Sequence, residues 1–182
     1  MTFRVKGFTT MELMVSLALG GVALGLAVPA LASLAENAAV VGAHNDLRTA
    51  IGYSRTQAVQ LATPVALCAS SDLRHCSGTL DWATGWVAFT DRDGAAGVPD
   101  GSDRILRAWP GPGVDRVSIS ARVELADANG VLRFNSLGAT SPAGAAASYA
   151  VQPTACEPSQ ALRREILISP AGAVRAQRVE CQ

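Results

Sequence analysis

Four cysteines are the residues whose chemistry is easiest to anticipate from this sequence: Cys68, Cys76, Cys156 and Cys181. Four thiols allow three disulfide pairings, and sequence does not choose among them. We favour Cys68–Cys76, which closes a short loop, and Cys156–Cys181, which would pin the C-terminal strand. Zinc is the alternative ligand, but the sequence has no Cys-x-x-Cys pair. Disulfides are typical of proteins outside the cytoplasm, because the cytoplasm keeps thiols reduced.

A second candidate site is the acidic segment 91–103, whose carboxylates are Asp91, Asp93, Asp100 and Asp103. Carboxylates at such spacing can bind calcium, but an EF-hand loop needs a glutamate at its twelfth position. Counted from Asp91, that position holds Ser102. We therefore interpret the segment as an acidic turn between two strands, and predict neither a metal ion nor a cofactor.

Side chains that enzymes use for acid–base or nucleophilic catalysis are scarce in this chain. His44 and His75 are its two histidines, and no Gly-x-Ser-x-Gly, phosphate-binding loop or His-Glu metal motif is present. We therefore predict that the protein is not an enzyme.

Basic side chains balance the acidic ones, 15 against 15, so the formal net charge is zero. This balance excludes a protein whose whole surface holds nucleic acid or anionic lipid. Local arginines could still bind phosphate through their planar guanidinium groups. Four lie close together near the C-terminus and are candidate DNA-binding residues: Arg163, Arg164, Arg175 and Arg178. The alternative is a solvated strand face.

Apolar residues make up 49% of the chain, and they are concentrated near its start. Residues 13–35 carry no charge, and Glu12 is the one charged residue between 8 and 35. A helix rises about 1.5 Å per residue, so this stretch is long enough to cross a membrane. Arg4 and Lys6 precede it and favour a cytoplasmic N-terminus. We expect a single-pass anchor at 8–35, followed by one domain outside the cytoplasm.

A cleaved secretory signal is the alternative interpretation of the same segment. Ala30-Leu31-Ala32 is a small-x-small site of the kind that signal peptidase cuts, and the mature protein would then be a secreted β domain beginning at Ser33. However, the apolar run exceeds the usual signal core. A buried Glu12 without a partner would also cost at least a few kcal/mol.

A basic segment that ends in glycine is followed by phenylalanine, by a glutamate four residues later and by the apolar stretch: Lys6-Gly7-Phe8-Thr9-Thr10-Met11-Glu12-Leu13-Met14-Val15. In this pattern the N-terminal segment shows a resemblance to the class III leader of type IV pilins and type II secretion pseudopilins, in which the glutamate is the fifth mature residue. This resemblance implies that residues 1–7 are a leader, that prepilin peptidase cuts between Gly7 and Phe8, and that the new amino group of Phe8 is methylated.

Glu12 gains an assembly role from this resemblance. The resemblance implies that the carboxylate pairs with the N-terminal amine of a neighbouring subunit as the filament grows. Neither charge is tolerated alone inside a helix bundle, so the pair can set the register between subunits. The alternative is that Glu12 merely lies at a helix N-terminus, where the helix dipole favours a negative charge.

Beyond the anchor, residues that recur every three or four positions predict an amphipathic helix over 36–62. One face of this helix would carry Val40, His44, Leu47, Ile51, Ser54, Ala58 and Leu61. Thr63-Pro64 ends the pattern, because the residue before proline disfavours a helix.

Residues 64–182 are typical of antiparallel β structure with turns rich in glycine, proline, asparagine and aspartate. The predicted strands are 65–69, 85–90, 105–109, 117–125, 131–135, 148–152, 165–169 and 174–179. Residues 139–147 are small and predict a loop.

Five motifs are spread over this domain: Thr63-Pro64-Val65-Ala66-Leu67-Cys68, Gly85-Trp86-Val87-Ala88-Phe89-Thr90-Asp91, Asp103-Arg104-Ile105-Leu106-Arg107, Phe134-Asn135-Ser136-Leu137-Gly138 and Ile166-Leu167-Ile168-Ser169-Pro170-Ala171-Gly172. Through these motifs the domain shows a resemblance to the GspH/FimT family of minor pseudopilins. This resemblance implies an α+β pilin-like fold, in which a long N-terminal helix is followed by two packed antiparallel sheets.

The same resemblance implies a minor pilin or pseudopilin that primes or caps a type II secretion pseudopilus or a type IV pilus. Its partners would be other pilins, prepilin peptidase and the inner-membrane assembly platform. The periplasmic domain would be residues 36–182. Some FimT-like minor pilins also bind DNA through a C-terminal Gly-Arg-x-Arg motif, which makes a DNA receptor for natural transformation the alternative function. Here Gly172 and Arg175 match that motif, but Ala173 stands where its first arginine should be.

Overall fold

The computed structural model describes residues 7–93, 99, 103–123, 130–158 and 160–181, and for residues 26–33 it describes the backbone alone. The predicted leader, except Gly7, lies outside the described residues, as do Asp100 and the last two residues of the predicted strand 117–125. The chain divides into two compact units, residues 1–35 and 36–182. Helix α1 spans Thr10–Leu61.

The first unit contains the start of α1. Thr9 caps the helix, because its Oγ1 accepts a hydrogen bond from the backbone N–H of Glu12 at 3.3 Å. Apolar side chains from Phe8 to Leu24 are exposed on this chain, Phe8 by 79% and Leu17 by 68%. Among the described residues, no helix is both long and apolar enough to span a bilayer. The membrane anchor at 8–35 stays a prediction.

In the second unit, α1 buries the face that its periodicity predicts. Six of the seven predicted positions are buried, from Val40 to Ala58, but Leu61 is 37% exposed. Leu61 is the last residue of α1, and it is exposed because the helix ends there. Ala62 turns out of the helix with a φ of 48°, and the Thr63 N–H closes the last turn on the Ala58 carbonyl at 3.2 Å.

Nine strands follow in the described part of the chain, and they form two antiparallel sheets. The five-stranded sheet has the order β3-β2-β1-β5-β6 and the four-stranded sheet has the order β4-β7-β8-β9. Their bounds are β1 Val65–Ala69, β2 Gly85–Thr90, β3 Ile105–Pro110, β4 Val117–Val123, β5 Leu132–Phe134, β6 Thr140–Ser141, β7 Ala147–Pro153, β8 Arg163–Ile168 and β9 Val174–Val179. The predicted α+β class with two antiparallel sheets is confirmed.

The predicted loop 139–147 was wrong at both of its ends. Thr140–Ser141 pairs with β5 as a two-residue edge strand, and Ala147 already belongs to β7. The hydroxyl of Thr140 donates to the carbonyl of Ala145 at 2.6 Å, which holds the strand in place without any large apolar side chain.

One hydrophobic core joins α1 to the inner faces of both sheets. Its largest fully buried side chains include Trp82, Trp86, Tyr149 and Phe134. The rings of Trp82 and Tyr149 meet edge to face at 4.8 Å between centroids. A smaller cluster lies on the other face of the five-stranded sheet and includes Cys68 and Phe89.

Two disulfides tie loops to these sheets. Cys68 in β1 bonds to Cys76 in the following loop, and Cys156 after β7 bonds to Cys181 after β9. This is the pairing that the sequence analysis favoured. In the loop-entropy model, closing loops of this length stabilises the fold by about 2–4 kcal/mol each.

Candidate functional site

The most distinctive surface of the second unit is the side of the four-stranded sheet that faces away from the core, which we call the outer face. Ile166 and Ile168 of β8 are buried in the core, so Leu167 between them points to the outer face. The strand register places four residues in one row across this face: Arg122, Ser148, Leu167 and Arg175.

A groove of about 370 Å³ follows this row. Its apolar lining is Leu167 and Ile168 of β8, Ala146 and Ala147 at the start of β7, and Ala173 of the β8–β9 turn. Arg122 and Arg175 are also among its lining residues. No acidic side chain lines it within the described residues. Neither arginine forms a hydrogen bond or an ion pair through its side chain with any other described residue. The groove therefore presents two guanidinium groups whose hydrogen-bonding capacity is unused.

Among the described residues, the acidic side chain that lies nearest to this row on the outer face is already paired. Glu165 accepts a hydrogen bond from Arg163 at 2.7 Å and another from the side-chain amide of Gln177 at 2.9 Å. Because the charge of Arg163 offsets that of Glu165, this carboxylate subtracts little from the positive charge of the row.

The β8–β9 turn that supports one end of the groove is fastened to α1 by Arg55. The Arg55 guanidinium donates to the Gly138 carbonyl at 2.9 Å and to the Ala171 carbonyl at 3.5 Å. Gly172 lies between these groups with a φ of 74°, and a Cβ there would collide with the Gly138 carbonyl and approach Arg55 Nε at 2.8 Å. This position requires glycine for the packing of the turn.

The four arginines that the sequence singled out do not form one patch. In the β8–β9 register, Arg164 is opposite Arg178 on the side of the sheet that carries Ile166, whereas Arg163 and Arg175 lie on the outer face. Arg178 Nε also donates to the carbonyl of Ala161. Arg122 was not among the predicted site residues, although the alternation of Ser118, Ser120 and Arg122 along β4 is a signal for an outward side chain.

The acidic segment contributes a carboxylate cluster on the other sheet. Oxygen atoms of Asp91, Asp93 and Asp103 lie within 4.8 Å of one another. Asp91 is 1% exposed and forms an ion pair with Arg133 of β5. The Arg92 N–H donates to Asp103 at 3.3 Å, so the cluster also closes the turn between β2 and β3.

The two histidines differ in environment. His44 is 5% exposed on the core side of α1, and its Nδ1 has no hydrogen-bond partner among the described residues. Burial lowers the pKa of His44, and the positive charges of Arg164 and Arg48 lower it further. His75 is exposed and contacts Asp72 at 2.6 Å. Hydrogen bonds from the side chain and backbone of His75 hold the pKa of Asp72 well below its usual range.

The predicted N-terminal site residues lie at the entrance to α1. Gly7 and Phe8 precede the helix, and Glu12 lies in its first turn with an exposed side chain. The chain path is therefore non-helical at the predicted Gly7–Phe8 cleavage site.

Comparison with known protein families gives a match to the family described as type II transport protein GspH, over residues 43–172. This match covers more than half of the chain. The chain belongs to the GspH family. The match includes every strand up to β8, together with α1 from Ala43 onward.

Solved structures similar to this GspH-family chain include the type IV minor pilin FimU of Pseudomonas aeruginosa. Identity is 20%, the TM-score is 0.54, and the alignment covers 76% of this chain and 87% of FimU. The minor pseudopilin EpsH of the Vibrio cholerae type 2 secretion system matches at 10% identity and a TM-score of 0.42, covering 74% of this chain and 92% of EpsH. Comparison with curated protein sequences gives no match. The likeness to FimU shows a shared fold.

Proposed function

We propose that this chain is a minor pilin or pseudopilin that primes or caps a type II secretion pseudopilus or a type IV pilus. The observation that carries the proposal is membership of the GspH family over residues 43–172. The family and the fold neighbours are structural pilins, which fits a protein that is not an enzyme.

The first unit supports the assembly part of the proposal. Its apolar side chains, such as Met14 and Leu17, are not covered by the chain itself. A helix segment that exposes apolar side chains on many sides needs a lipid bilayer or other helices around it. We infer that residues 8–35 anchor the protein in the inner membrane, with the N-terminus in the cytoplasm, and later pack in the filament core.

Processing at Gly7–Phe8 follows from the same proposal. A peptidase binds its substrate in an extended form, and these residues precede the first helical turn. Phe8 is exposed, and Gly7 offers no side chain to obstruct a protease cleft. Mass spectrometry of the mature protein should find an N-methylated Phe8. A mature N-terminus at Ser33 would instead identify a secretory signal and refute the filament role.

Glu12 is the residue that tests assembly most directly. We propose that its carboxylate pairs with the Phe8 amine of a neighbouring subunit, where the low dielectric of the helix bundle favours paired charges. Glu12→Leu should still insert in the membrane but fail to enter filaments. Immunoblots of sheared-filament and membrane fractions measure both steps, with Thr10→Ala as a control in the same turn. Normal amounts of Glu12→Leu in filaments would contradict the proposal.

Deleting the gene would separate the two filament systems. Loss of secretion of folded periplasmic proteins identifies a pseudopilus subunit, whereas loss of surface filaments or of twitching motility identifies a pilus subunit.

DNA capture is the second candidate function, and the predicted arginines are its basis. Arg175 lies on the outer face beside the groove, but Arg178 lies on the other side of the sheet. A gel shift with the protein in detergent tests this function, with Arg175→Ala and Arg178→Ala as variants. If both variants still bind DNA, Arg175 and Arg178 are not the DNA-binding residues.

A further inference from the structure

We infer that the groove on the outer face binds an acidic segment of a neighbouring filament subunit. Two carboxylates of that segment pair with Arg122 and Arg175, and an apolar side chain between them packs on Leu167. Only the origin of the segment, a neighbouring filament subunit, rests on the proposed function; the groove and its arginines are features of this chain.

Charge complementarity is the first argument. Arg122 and Arg175 have no side-chain partner among the described residues, no carboxylate lines the groove there, and Glu165 is occupied by Arg163 and Gln177. An arginine fork fits a carboxylate with two parallel hydrogen bonds. The chemistry of the two lining arginines therefore selects an anionic ligand.

Spacing and apolar character are the second argument. Arg122 and Arg175 lie three strands apart in one row, and strands are spaced by about 4.8 Å, so their backbones are about 14 Å apart. In an extended peptide, residues i, i+2 and i+4 share one side, and the first and last are about 13 Å apart, close to the spacing of the two arginines. A segment with acids at i and i+4 and an apolar residue at i+2 matches both arginines and the Leu167 floor.

Nucleic acid fits the same groove less well. Two arginines would neutralise only about two phosphates, and affinity for a polyanion grows with the number of phosphates neutralised. No aromatic ring lines the groove in the described part of the chain, so bases would have nothing to stack on. Residues 36–182 also contain more carboxylates than arginines, which opposes long-range attraction of DNA.

A peptide-binding assay tests the groove. The full-length protein in detergent is titrated against a fluorescent peptide with the core Glu-Ala-Leu-Ala-Glu, and binding is measured by anisotropy. We expect saturable binding that Arg122→Ala and Arg175→Ala each weaken at least about tenfold, because each removes a charged hydrogen-bond pair. Arg175→Lys should retain part of the affinity, since lysine keeps the charge but loses the fork.

Controls give the assay its specificity. Arg116→Ala removes an exposed arginine outside the groove and should leave the affinity unchanged. A Gln-Ala-Leu-Ala-Gln peptide should bind at least tenfold more weakly. The inference fails if neither peptide saturates at millimolar concentration, if both bind equally, or if the two groove variants bind like wild type. Tighter binding of a single-stranded oligonucleotide that the same variants abolish would reassign the groove to nucleic acid.

Cross-linking in filaments tests the source of the segment. A photoreactive group on Ser148→Cys, in the groove, should link to another filament subunit, whereas Ser136→Cys in the exposed turn after β5 serves as the matched control. If the protein enters filaments but Ser148→Cys gives no such link, the inference fails and the proposed function stands. If the protein never enters filaments, the proposed function fails, and so does the assignment of the segment to a neighbouring subunit. The peptide-binding assay then tests by itself whether the groove binds an acidic segment.

Discussion

Replacing Gly172 with alanine should destabilise the second unit more than any ordinary glycine replacement. An alanine forced into the left-handed region costs about 1–2 kcal/mol. The new Cβ would also meet the Gly138 carbonyl and Arg55 Nε, so the turn must move and break the Arg55–Gly138 hydrogen bond. A hydrogen bond to a charged group is worth about 1.5–3 kcal/mol, so the total loss is about 2.5–5 kcal/mol.

Gly144 supplies the matched control, because its φ is 89° but a Cβ there would meet nothing within 4 Å. Gly144→Ala should therefore show the conformational cost alone, about 1–2 kcal/mol. The difference between the two variants, at least about 1.5 kcal/mol, isolates the contact with Arg55. Arg55→Ala should shrink this difference, since the hydrogen bond is then already lost.

Tryptophan fluorescence during urea unfolding measures these losses. The three tryptophans, Trp82, Trp86 and Trp109, all lie in the second unit, so the signal reports that unit even in the detergent-solubilised full chain. Equal destabilisation by Gly172→Ala and Gly144→Ala would refute the packing of the β8–β9 turn described above.

Three further predictions concern the second unit. Cys156→Ser should lower the unfolding free energy by about 2–4 kcal/mol in urea melts, and reductant should then have less effect than on wild type. Burial lowers the pKa of His44 in the folded protein, so the unfolded chain binds a proton at this histidine at a higher pH than the folded chain does. The free energy of unfolding should therefore fall by at most about 1.4 kcal/mol per pH unit as the pH drops below the unfolded pKa near 6.5. A His44→Asn variant that keeps the same slope in pH-dependent melts would contradict this. Arg133→Met leaves Asp91 buried beside other carboxylates and should cost about 3–5 kcal/mol. Adding Asp91→Asn should restore part of that loss, and a double variant no more stable than Arg133→Met would count against the ion pair.

Much of the fold could be predicted because its signals are local. The helix face from Val40 to Ala58 follows from apolar spacing, and strands such as Gly85–Thr90 and Val174–Val179 have the predicted bounds. The edge strand Thr140–Ser141 could not be predicted, because two small residues carry no periodicity and their pairing with β5 is a tertiary event.

The candidate site was harder to predict for a similar reason. Arg122 and Arg175 are far apart in sequence, and only the β4-β7-β8-β9 order places them in one row on the same face. Conversely, Arg175 and Arg178 are close in sequence but point to opposite faces, because their spacing is odd in a strand where side chains alternate. Composition locates the arginines, but strand register decides which of them share a surface.

The Cys156–Cys181 bond has a mechanical consequence for the strand that carries Arg175. Strand β9 is an edge strand, and without the bond a force applied at the chain end would unzip it from β8 one hydrogen bond at a time. The disulfide transmits a pulling force from Cys181 directly to Cys156, so neither β8 nor β9 carries that force. In single-molecule pulling from the C-terminus, the β8–β9 hairpin should therefore bear no force and stay paired until the disulfide is reduced.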